Sequence, residues 1–281
     1  MMGPSLHMRR QATRWAIFLL LVVVALLVNL PIILMVLNSF KANAEILSTH
    51  SFLPRAPTLI NYELLSARTP FWNYFANSII VAGLSTVASV LIAVFAGYAL
   101  SRYRSPGITI FSRALLLFQM FPLILALIPL FILFRDLKLL NSYTGVVIIY
   151  TTVHLPFAVW LAKGFFDGIP RELDEAAWID GCSPLRGFLR VILPLTRPGI
   201  VAIAIFSILF SWNEYLIASI FLRSKQFLTV PVGIQQFIQE YQTDWGSLMA
   251  AATVAMVPVL VFCLFAQQHL VHGAVAGSVK G

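Results

Sequence analysis

Six long apolar stretches constrain the fold of this chain more than any other feature of its sequence. A helix needs about 20 apolar residues to cross the roughly 30 Å hydrocarbon core of a bilayer. The stretches that meet this requirement cover approximately residues 15–38, 77–100, 111–134, 144–166, 199–222 and 247–270. The sequence therefore predicts an all-α membrane protein with six transmembrane helices.

The composition excludes a soluble globular domain, because 59% of the residues are hydrophobic, 11% are charged and the mean hydropathy is +0.88. The first stretch is too long for a signal-peptide core and has no small-residue cleavage site after it, so we expect it to be retained. The net charge of +8 does not indicate a nucleic-acid partner here, because in a chain that lies in a lipid bilayer the informative feature is where the basic residues lie relative to the spans. Cys182 and Cys263 match no metal or redox spacing and are expected to be free thiols.

Basic residues are divided unequally between the two sides of the predicted membrane. One side, which holds both termini, collects 12 of the 19 Lys and Arg residues. The positive-inside rule therefore places both termini in the cytoplasm. The predicted layout is a cytoplasmic N-terminus (1–14), a six-helix transmembrane domain (15–270), a long cytoplasmic connection within it (163–198) and a cytoplasmic tail (271–281).

Prolines and small residues interrupt the predicted spans. Prolines inside a helix remove a backbone donor and predict kinks, although prolines are also generally common in membrane helices. Pairs of small residues, Ser85 with Ser89 and Ala93 with Gly97, allow close helix approach. Residues 40–72 have no long periodic run and predict a loop with short helical pieces. The prolines inside the predicted spans are Pro31, Pro122, Pro129, Pro156 and Pro258.

The connection over residues 163–198 is the polar part of the chain and begins with a predicted short helix. Pro170 suits the first turn, and the acids that follow it complement the N-terminal end of the helix dipole. Leu173, Ala176 and Ala177 fall on one small apolar face. Gly181 can adopt the left-handed conformation that ends the helix.

A second amphipathic helix is predicted after this glycine. Ser183 supplies the capping hydroxyl and Pro184 suits the next position, while Leu185, Phe188 and Val191 carry the apolar face until Pro194 ends the helix. The pair of helices fits either a docking knob for another protein or an interfacial helix on lipid headgroups. The acid-rich first half favours a protein partner, because anionic lipid repels it.

The spacing within this connection resembles a known family. Glu175, Ala176 and Ala177, then three residues, Gly181, nine residues and "VILP" at 191–194 resemble the EAA loop of permease subunits in bacterial ATP-binding-cassette importers. "SRY" at 101–103, "SWNEY" at 211–215 and the terminal "GSVKG" are similar to the shorter membrane subunit of the carbohydrate-uptake branch, the MalG-like group.

The resemblance implies a type I importer permease fold in the bacterial inner membrane, with a coupling helix that seats in a cleft of a cytoplasmic ATPase. It implies four partner chains: a second, MalF-like permease, two MalK-like ATPases and one extracytoplasmic binding protein. The chain has no glycine-rich phosphate loop, so ATP and magnesium belong to the ATPases and this chain binds no cofactor or metal. The tail, residues 277–281, is expected to reach toward the ATPases. The implied coupling residues are Glu175, Ala176, Ala177, Asp180, Gly181 and Pro194.

Glu214 is the one acid of eleven that lies inside a predicted span, and an intramembrane acid predicts a functional site. Ser207, Ser211, Glu214 and Ala218 form a small polar stripe on the predicted helix. The aromatic and hydrogen-bonding groups around it suit a sugar, although a polar stripe also joins helices to each other. The substrate-pathway candidates are Ser211, Trp212, Asn213, Glu214 and Tyr215.

The leading prediction is a non-enzymatic permease subunit for a di- or oligosaccharide such as maltose or trehalose, with a polyol or a glycerol-phosphate compound as the alternative substrate. A second hypothesis is a proton-coupled secondary carrier that uses Glu214. A third, an intramembrane hydrolase with His154 and Glu214, has no HExxH spacing in the spans to support it. His154 is predicted to be a hydrogen-bonded residue of the helix bundle.

Overall fold

The computed structural model describes residues 6–48, 51–238 and 243–278. Three short segments have other helical forms: a π-helical turn at Phe188–Ile192 and 3₁₀ turns at Lys225–Phe227 and Gln235–Phe237. In chain order the α-helices are α1 (Leu6–Ser39), α2 (Asn43–Ser48), α3 (Ile60–Arg68), α4 (Phe71–Arg102), α5 (Pro106–Met120), α6 (Leu123–Asp136), α7 (Tyr143–Asp167), α8 (Glu172–Ile179), α9 (Pro184–Gly187), α10 (Leu193–Leu195), α11 (Arg197–Asn213), α12 (Leu216–Phe221), α13 (Val230–Ile234) and α14 (Trp245–Ser278).

Four helices are long and apolar enough to cross a membrane by themselves. They lie within α1, α4, α7 and α14. Two bent pairs of helices, α5 with α6 and the helix over Pro184–Leu195 with α11, bring the number to six when each pair counts as one span. The prediction of an all-α chain with six membrane helices is therefore confirmed.

The third predicted span, residues 111–134, is wrong as one continuous helix. α5 and α6 meet at an angle of 100°. Pro122 follows the break and has no backbone N–H, and Phe121 before it is extended, with φ −76° and ψ 124°. This is the conformation that a residue before proline prefers. The other four prolines inside the predicted spans, Pro31, Pro129, Pro156 and Pro258, lie within helices that continue past them.

One compact unit of the structure comprises the described residues within 1–69 and 237–254. The connection after α1 contains α2 and α3, which confirms the prediction of short helical pieces. Asn61 on α3 donates from its amide nitrogen to the carbonyl oxygens of Ser39 and Lys41, at 2.8 and 2.7 Å. Arg68 pairs with Asp244 at 2.7 Å, and Asp244 also accepts from Ser247 at the start of α14.

The other unit comprises the described residues within 70–236 and 255–281 and has α4 and α7 at its centre. The two helices run parallel: Tyr143 donates to Asn77 near their first residues, and Gly97 meets Ala162 near their last. A Cβ atom at Gly97 would lie 2.5 Å from the Cβ of Ala162 and 2.8 Å from the Lys163 backbone nitrogen. The small residue at 97 therefore permits the close approach that the sequence predicts.

α11 packs antiparallel against this helix pair. Phe206 and Phe157 have ring centroids 5.6 Å apart, and Gly199 lies directly against the ring of Phe165. Ser85 on α4 donates to Ser211 on α11 at 3.0 Å. Interhelical hydrogen bonds of this kind are typical of membrane bundles, where no water competes for the donor.

Candidate functional site

The connection between α7 and α11 begins with α8, which ends at a glycine. Pro170 lies just ahead of α8 and not in its first turn, whereas Glu172, Asp174 and Glu175 do occupy that turn. Gly181 has φ +82°, so the predicted left-handed stop is confirmed. The backbone N–H groups of Gly181 and Cys182 donate to the carbonyl oxygens of Trp178 and Ala177, at 3.0 and 2.9 Å. This pair of bonds is a Schellman motif, which satisfies carbonyls at the helix end.

A buried carboxylate attaches α8 to α4. Asp174 is 4% exposed and receives two hydrogen bonds from the last turns of α4. The Tyr98 hydroxyl donates to Oδ1 at 2.6 Å, and Arg102 Nε donates to Oδ2 at 2.8 Å. The Arg102 and Asp174 side chains are 8% and 5% exposed, so solvent screens this pair much less than a surface pair.

Arg102 also joins α4 to the end of α7. Its two terminal nitrogens donate to the carbonyl oxygens of Phe166 and Ile169, each at 3.1 Å. These carbonyls lie at and just beyond the last turn of α7, where helical partners are missing. Arg171 makes a second tie, because its Nη2 donates to the Ser101 carbonyl oxygen at 2.7 Å. The first half of the connection is therefore held to two membrane helices by charged hydrogen bonds.

The outward face of α8 differs from the predicted apolar face. Ala177 is buried beside Gly187, because a Cβ at Gly187 would lie 3.4 Å from the Ala177 Cβ. Leu173 and Ala176 are exposed, so Ala177 does not belong to the exposed apolar face that was predicted for all three residues. The acid–apolar face that α8 presents consists of Leu173, Glu175, Ala176, Ile179 and Asp180, all exposed.

The second helix of the connection is fixed by an aromatic cluster. Ser183 caps it, since its Oγ accepts from the Arg186 backbone N–H, which confirms the predicted start. Phe188 is 2% exposed, and its ring centroid lies 4.4 Å from that of Tyr98 and 6.0 Å from that of Phe166. Phe188 thus packs on both α4 and α7, near the polar contact of Asp174.

Two predictions for this second helix are wrong. Leu185 is 59% exposed, and the buried positions are Phe188 and Ile192. Pro194 does not end the helix, which continues to Leu195. A π-helical turn precedes it, with the Leu193 N–H bonded to the Phe188 carbonyl five residues back, and this wider turn accommodates the ring of the proline. The helix then bends by 77° into α11.

The predicted fifth span, residues 199–222, is broken at Glu214. α11 ends at Asn213, Glu214 is extended with ψ 120°, and α12 begins at Leu216. The Glu214 carboxylate accepts from the backbone N–H groups of Ile217 at 2.8 Å and Ala218 at 3.0 Å. Tyr150 on α7 donates its hydroxyl to the same carboxylate at 2.7 Å. A side chain that binds the next turn's N–H groups replaces the helical bonds there, so the helix restarts.

The predicted polar stripe is therefore not one helix face. Ser207, Ser211 and Ala218 are each 5% exposed or less, and Ser211 is bonded to Ser85. Trp212 is 3% exposed and donates to the Ala255 carbonyl oxygen at 3.2 Å. Asn213 and Tyr215, on either side of Glu214, are the exposed members of the candidate set.

His154 lies one helical turn after Tyr150 and is 6% exposed. Its Nε2 has no hydrogen-bond partner among the described residues, so the prediction of a hydrogen-bonded histidine is wrong for that atom. The imidazole packs against the ring of Phe210 on α11.

The sequence does not indicate the role of three residues that hold these sites together. Arg102 lies within the quoted "SRY" motif, yet nothing local to it indicates that its partner is an acid 72 residues later. Tyr98 and Tyr150 lie in apolar spans, where a tyrosine is a common packing residue. A polar side chain inside a span is the signal that could have found them, because a buried hydroxyl there requires a partner.

Apolar helices of membrane-spanning length, with a polar connection bound firmly to two of them, define an integral α-helical membrane protein. Comparison with known proteins then places it more closely. Residues 89–276 match the family described as binding-protein-dependent transport system inner membrane component, and the chain belongs to this family. Such chains are non-catalytic permease subunits of ATP-binding-cassette importers, which excludes the intramembrane hydrolase.

Two relatives and one solved structure illustrate the similarity. The sulfoquinovosyl glycerol transport system permease protein SmoH of Agrobacterium fabrum is 37% identical, over 91% of each chain. The trehalose transport system permease protein SugB of Mycobacterium tuberculosis is 35% identical, over 97% of this chain and 99% of the relative. A crystal structure of a bacterial ABC transporter involved in alginate import has the same fold, with a TM-score of 0.79, 24% identity and 95% and 99% coverage.

Proposed function

We propose that this chain forms half of the translocation pathway of a sugar importer and couples it to ATP hydrolysis through the connection between α7 and α11. The observation that carries the proposal is the buried bond from Asp174 on α8 to Arg102 and Tyr98 on α4. A helix held in this way transmits displacement to α4 and α7, whereas a loosely attached surface helix would move alone.

The acid–apolar face of α8 is the docking surface for an ATPase subunit. Ile179 is 86% exposed and Leu173 and Ala176 lie beside it, a small apolar knob that a cleft on a partner can cover. The Glu175 carboxylate makes no hydrogen bond or ion pair with any described residue, in contrast to that of Asp174 next to it. Glu175 and Asp180 therefore remain available to Arg or Lys side chains of the ATPase, which itself carries ATP and magnesium.

Gly181 sets the angle between the knob and the second helix. No atom of the described residues lies within 4 Å of the position that a Cβ at Gly181 would take, so the constraint at this residue is its positive φ and not crowding. Phe188 then secures the second helix, with Pro194 near its end. α14 continues to Ser278, and the tail over residues 277–281 is the further segment expected to contact the ATPases; residues 279–281 lie outside the described residues.

The break at Glu214 lines the substrate pathway. Non-helical backbone at membrane depth is tolerated only where protein buries it or where it faces a water-filled cavity. α11 has 17 residues and so rises about 26 Å from Arg197, which puts the break in the outer part of the bilayer. Asn213 and Tyr215 are exposed at this point, and the Asn213 amide is expensive to expose to lipid. Glu214, Ser211 and Trp212 support them through internal bonds.

The substrate is a di- or oligosaccharide such as trehalose or maltose. Two relatives that cover nearly the whole chain carry glycosides in their names. A tyrosine ring that packs on the C–H face of a sugar, beside an amide that binds hydroxyls, suits this class. Both termini lie in the cytoplasm of a bacterium, and the chain lies in its inner membrane with a second permease and an extracytoplasmic binding protein.

Co-purification tests this function. A tagged chain, extracted from its native membrane in mild detergent, should bring down a second permease and an ATPase, and ATP hydrolysis in the preparation should rise with the liganded binding protein. Glu175→Lys should reduce ATPase recovery, whereas Arg135→Gln, at an exposed residue of α6 outside the connection, should not. Extraction of the chain without any ATPase would contradict the proposal.

A further inference from the structure

A cavity of about 870 Å³ lies beside the connection, apart from the docking face of α8. Its walls are the last residues of α4, the exposed side of α5, the end of α7 and the first residues of the connection up to Glu172. None of the proposed coupling residues from Glu175 to Pro194 lines it. The coupling function therefore leaves this cavity unexplained.

Five basic side chains line the cavity, and two of them are already neutralised. Arg102 is paired with Asp174 at 2.8 Å, and Lys163 is paired with Asp167 at 2.5 Å. The first pair joins α4 to α8, and the second lies within the last turn of α7. Their charge is thus not available to a ligand.

The other three basic residues leave an excess of positive charge. Arg104 and Arg113 are exposed and form no ion pair with any described residue. Arg171 donates only to a backbone carbonyl, which carries no full charge. Besides Asp167, which is paired with Lys163, the acid that lines the cavity is Glu172. Two positive charges are therefore uncompensated, which favours an anionic ligand.

The same cavity has apolar walls. Leu116 on α5 and Trp160 on α7 line it, and the indole Nε1 of Trp160 is buried without a hydrogen-bond partner among the described residues. A buried donor without a partner costs free energy that a bound acceptor recovers. Outside the cavity, α5 exposes the side chains of Phe111, Leu117 and Phe118, an apolar surface of the kind that acyl chains cover.

We propose that this cavity binds the headgroup of an anionic phospholipid, with the phosphate between Arg104 and Arg113 and the acyl chains along α5. The cavity lies at the ends of two spans, where headgroups are found, and basic pockets between membrane helices bind anionic headgroups. An indole at this level is typical of the membrane interface. The assignment to the cytoplasmic leaflet rests on the orientation in the proposed function.

Lipid binding is measured on the full chain in nanodiscs that contain phosphatidylglycerol and phosphatidylcholine, by native mass spectrometry of the lipids retained. The unchanged chain should retain phosphatidylglycerol in preference to phosphatidylcholine. Arg104→Gln or Arg113→Gln should each lower the apparent affinity for phosphatidylglycerol about fivefold, and the double variant about 25-fold. Trp160→Phe should lower it further without changing the charge.

Arg186→Gln is the matched control, because Arg186 is an exposed arginine of the same connection that does not line the cavity. If Arg186→Gln lowered the affinity for phosphatidylglycerol equally, the effect would come from general surface charge, which would contradict a binding site in the cavity. A second series adds inorganic phosphate, and displacement of phosphatidylglycerol at millimolar phosphate would assign the cavity to a soluble anion instead. The lipid-binding measurement needs no ATPase. Its result therefore does not depend on whether the chain co-purifies with an ATPase.

Discussion

Arg102 on α4 and Asp174 on α8 form a buried ion pair with a nitrogen–oxygen distance of 2.8 Å. The same arginine holds two carbonyls at the end of α7, and the same carboxylate accepts the Tyr98 hydroxyl. One pair of residues thus connects two membrane spans with the short helix that the ATPase is proposed to contact.

Removal of either partner of this pair should destabilise the protein. Asp174→Ala leaves the Arg102 guanidinium buried without a counter-charge, which costs about 3–5 kcal/mol. Thermal unfolding of the purified protein in detergent, followed by circular dichroism, should show a lowered midpoint. Asp136→Asn is the control, because Asp136 belongs to an exposed pair with Arg135 and such pairs contribute about 0–1 kcal/mol. Equal midpoints for the two variants would contradict the assignment of Asp174 as an anchor.

Phe188 should be the apolar counterpart of this anchor. Phe188→Ala removes a fully buried ring from the contact with Tyr98 and Phe166 and should cost about 3–5 kcal/mol. Leu185→Ala is the control in the same helix, because Leu185 is 59% exposed. Limited proteolysis should cut the connection faster in the Phe188 variant only; equal protection of both would argue against packing by Phe188.

Substitutions at Gly181 should separate backbone conformation from side-chain size. Asparagine tolerates positive φ, so Gly181→Asn should support transport close to that of the unchanged protein. Valine at the same position is β-branched and strongly disfavours this conformation, so Gly181→Val should remove most of the transport while the chain still reaches the membrane. Uptake of labelled sugar by cells, normalised to membrane-inserted protein, measures both. Equal uptake by the two variants would mean that the positive φ is not required.

The contact of Gly97 with α7 should tolerate no added methyl group. Gly97→Ala places a Cβ 2.5 Å from that of Ala162 and 2.8 Å from a backbone nitrogen, so α4 and α7 must separate. Gly83→Ala on the same helix meets nothing within 4 Å and should be neutral or stabilising. Thermal unfolding midpoints of the two variants give the comparison, and an unchanged midpoint for Gly97→Ala would contradict the close approach.

The residues around the helix break should have two different roles: some stabilise the backbone at the break, and others contact the substrate. Tyr150→Phe removes a hydrogen bond to Glu214 and should lower stability by about 1 kcal/mol with little change in the KM for sugar. Tyr215→Ala should raise KM, because Tyr215 is exposed beside the break and is proposed to contact substrate. Transport kinetics in proteoliposomes distinguish them. A raised KM for Tyr150→Phe, with an unchanged KM for Tyr215→Ala, would reverse the assignment.

Much of the fold follows from periodicity and spacing, since the spans, the glycine stop at Gly181 and the Ser183 cap depend on local sequence. The break at Glu214 does not follow in this way. An apolar run predicts a helix through it, and only the carboxylate's bonds to Ile217, Ala218 and Tyr150 make the interruption favourable. Two of these bonds are local, but the third comes from another helix.

The contact that anchors α8 likewise cannot be predicted from local sequence patterns. Asp174 and Glu175 are adjacent acids in the same first turn, yet one is buried and the other exposed. The difference arises because Arg102 and Tyr98 reach α8 from a helix some 70 residues earlier in the chain. The spacing of the connection resembles that of a known family, but the inward or outward direction of each side chain depends on this distant contact.

The number of sugar molecules transported per ATP hydrolysed, measured in proteoliposomes that contain the complete importer, tests the central claim most directly. Asp174→Asn removes the charge of the anchor but keeps its shape. We predict that the variant complex still hydrolyses ATP while this ratio falls at least severalfold, and that Asp136→Asn leaves the ratio unchanged. An unchanged ratio for Asp174→Asn, in a complex that retains its ATPases, would contradict coupling through the bond between Arg102 and Asp174.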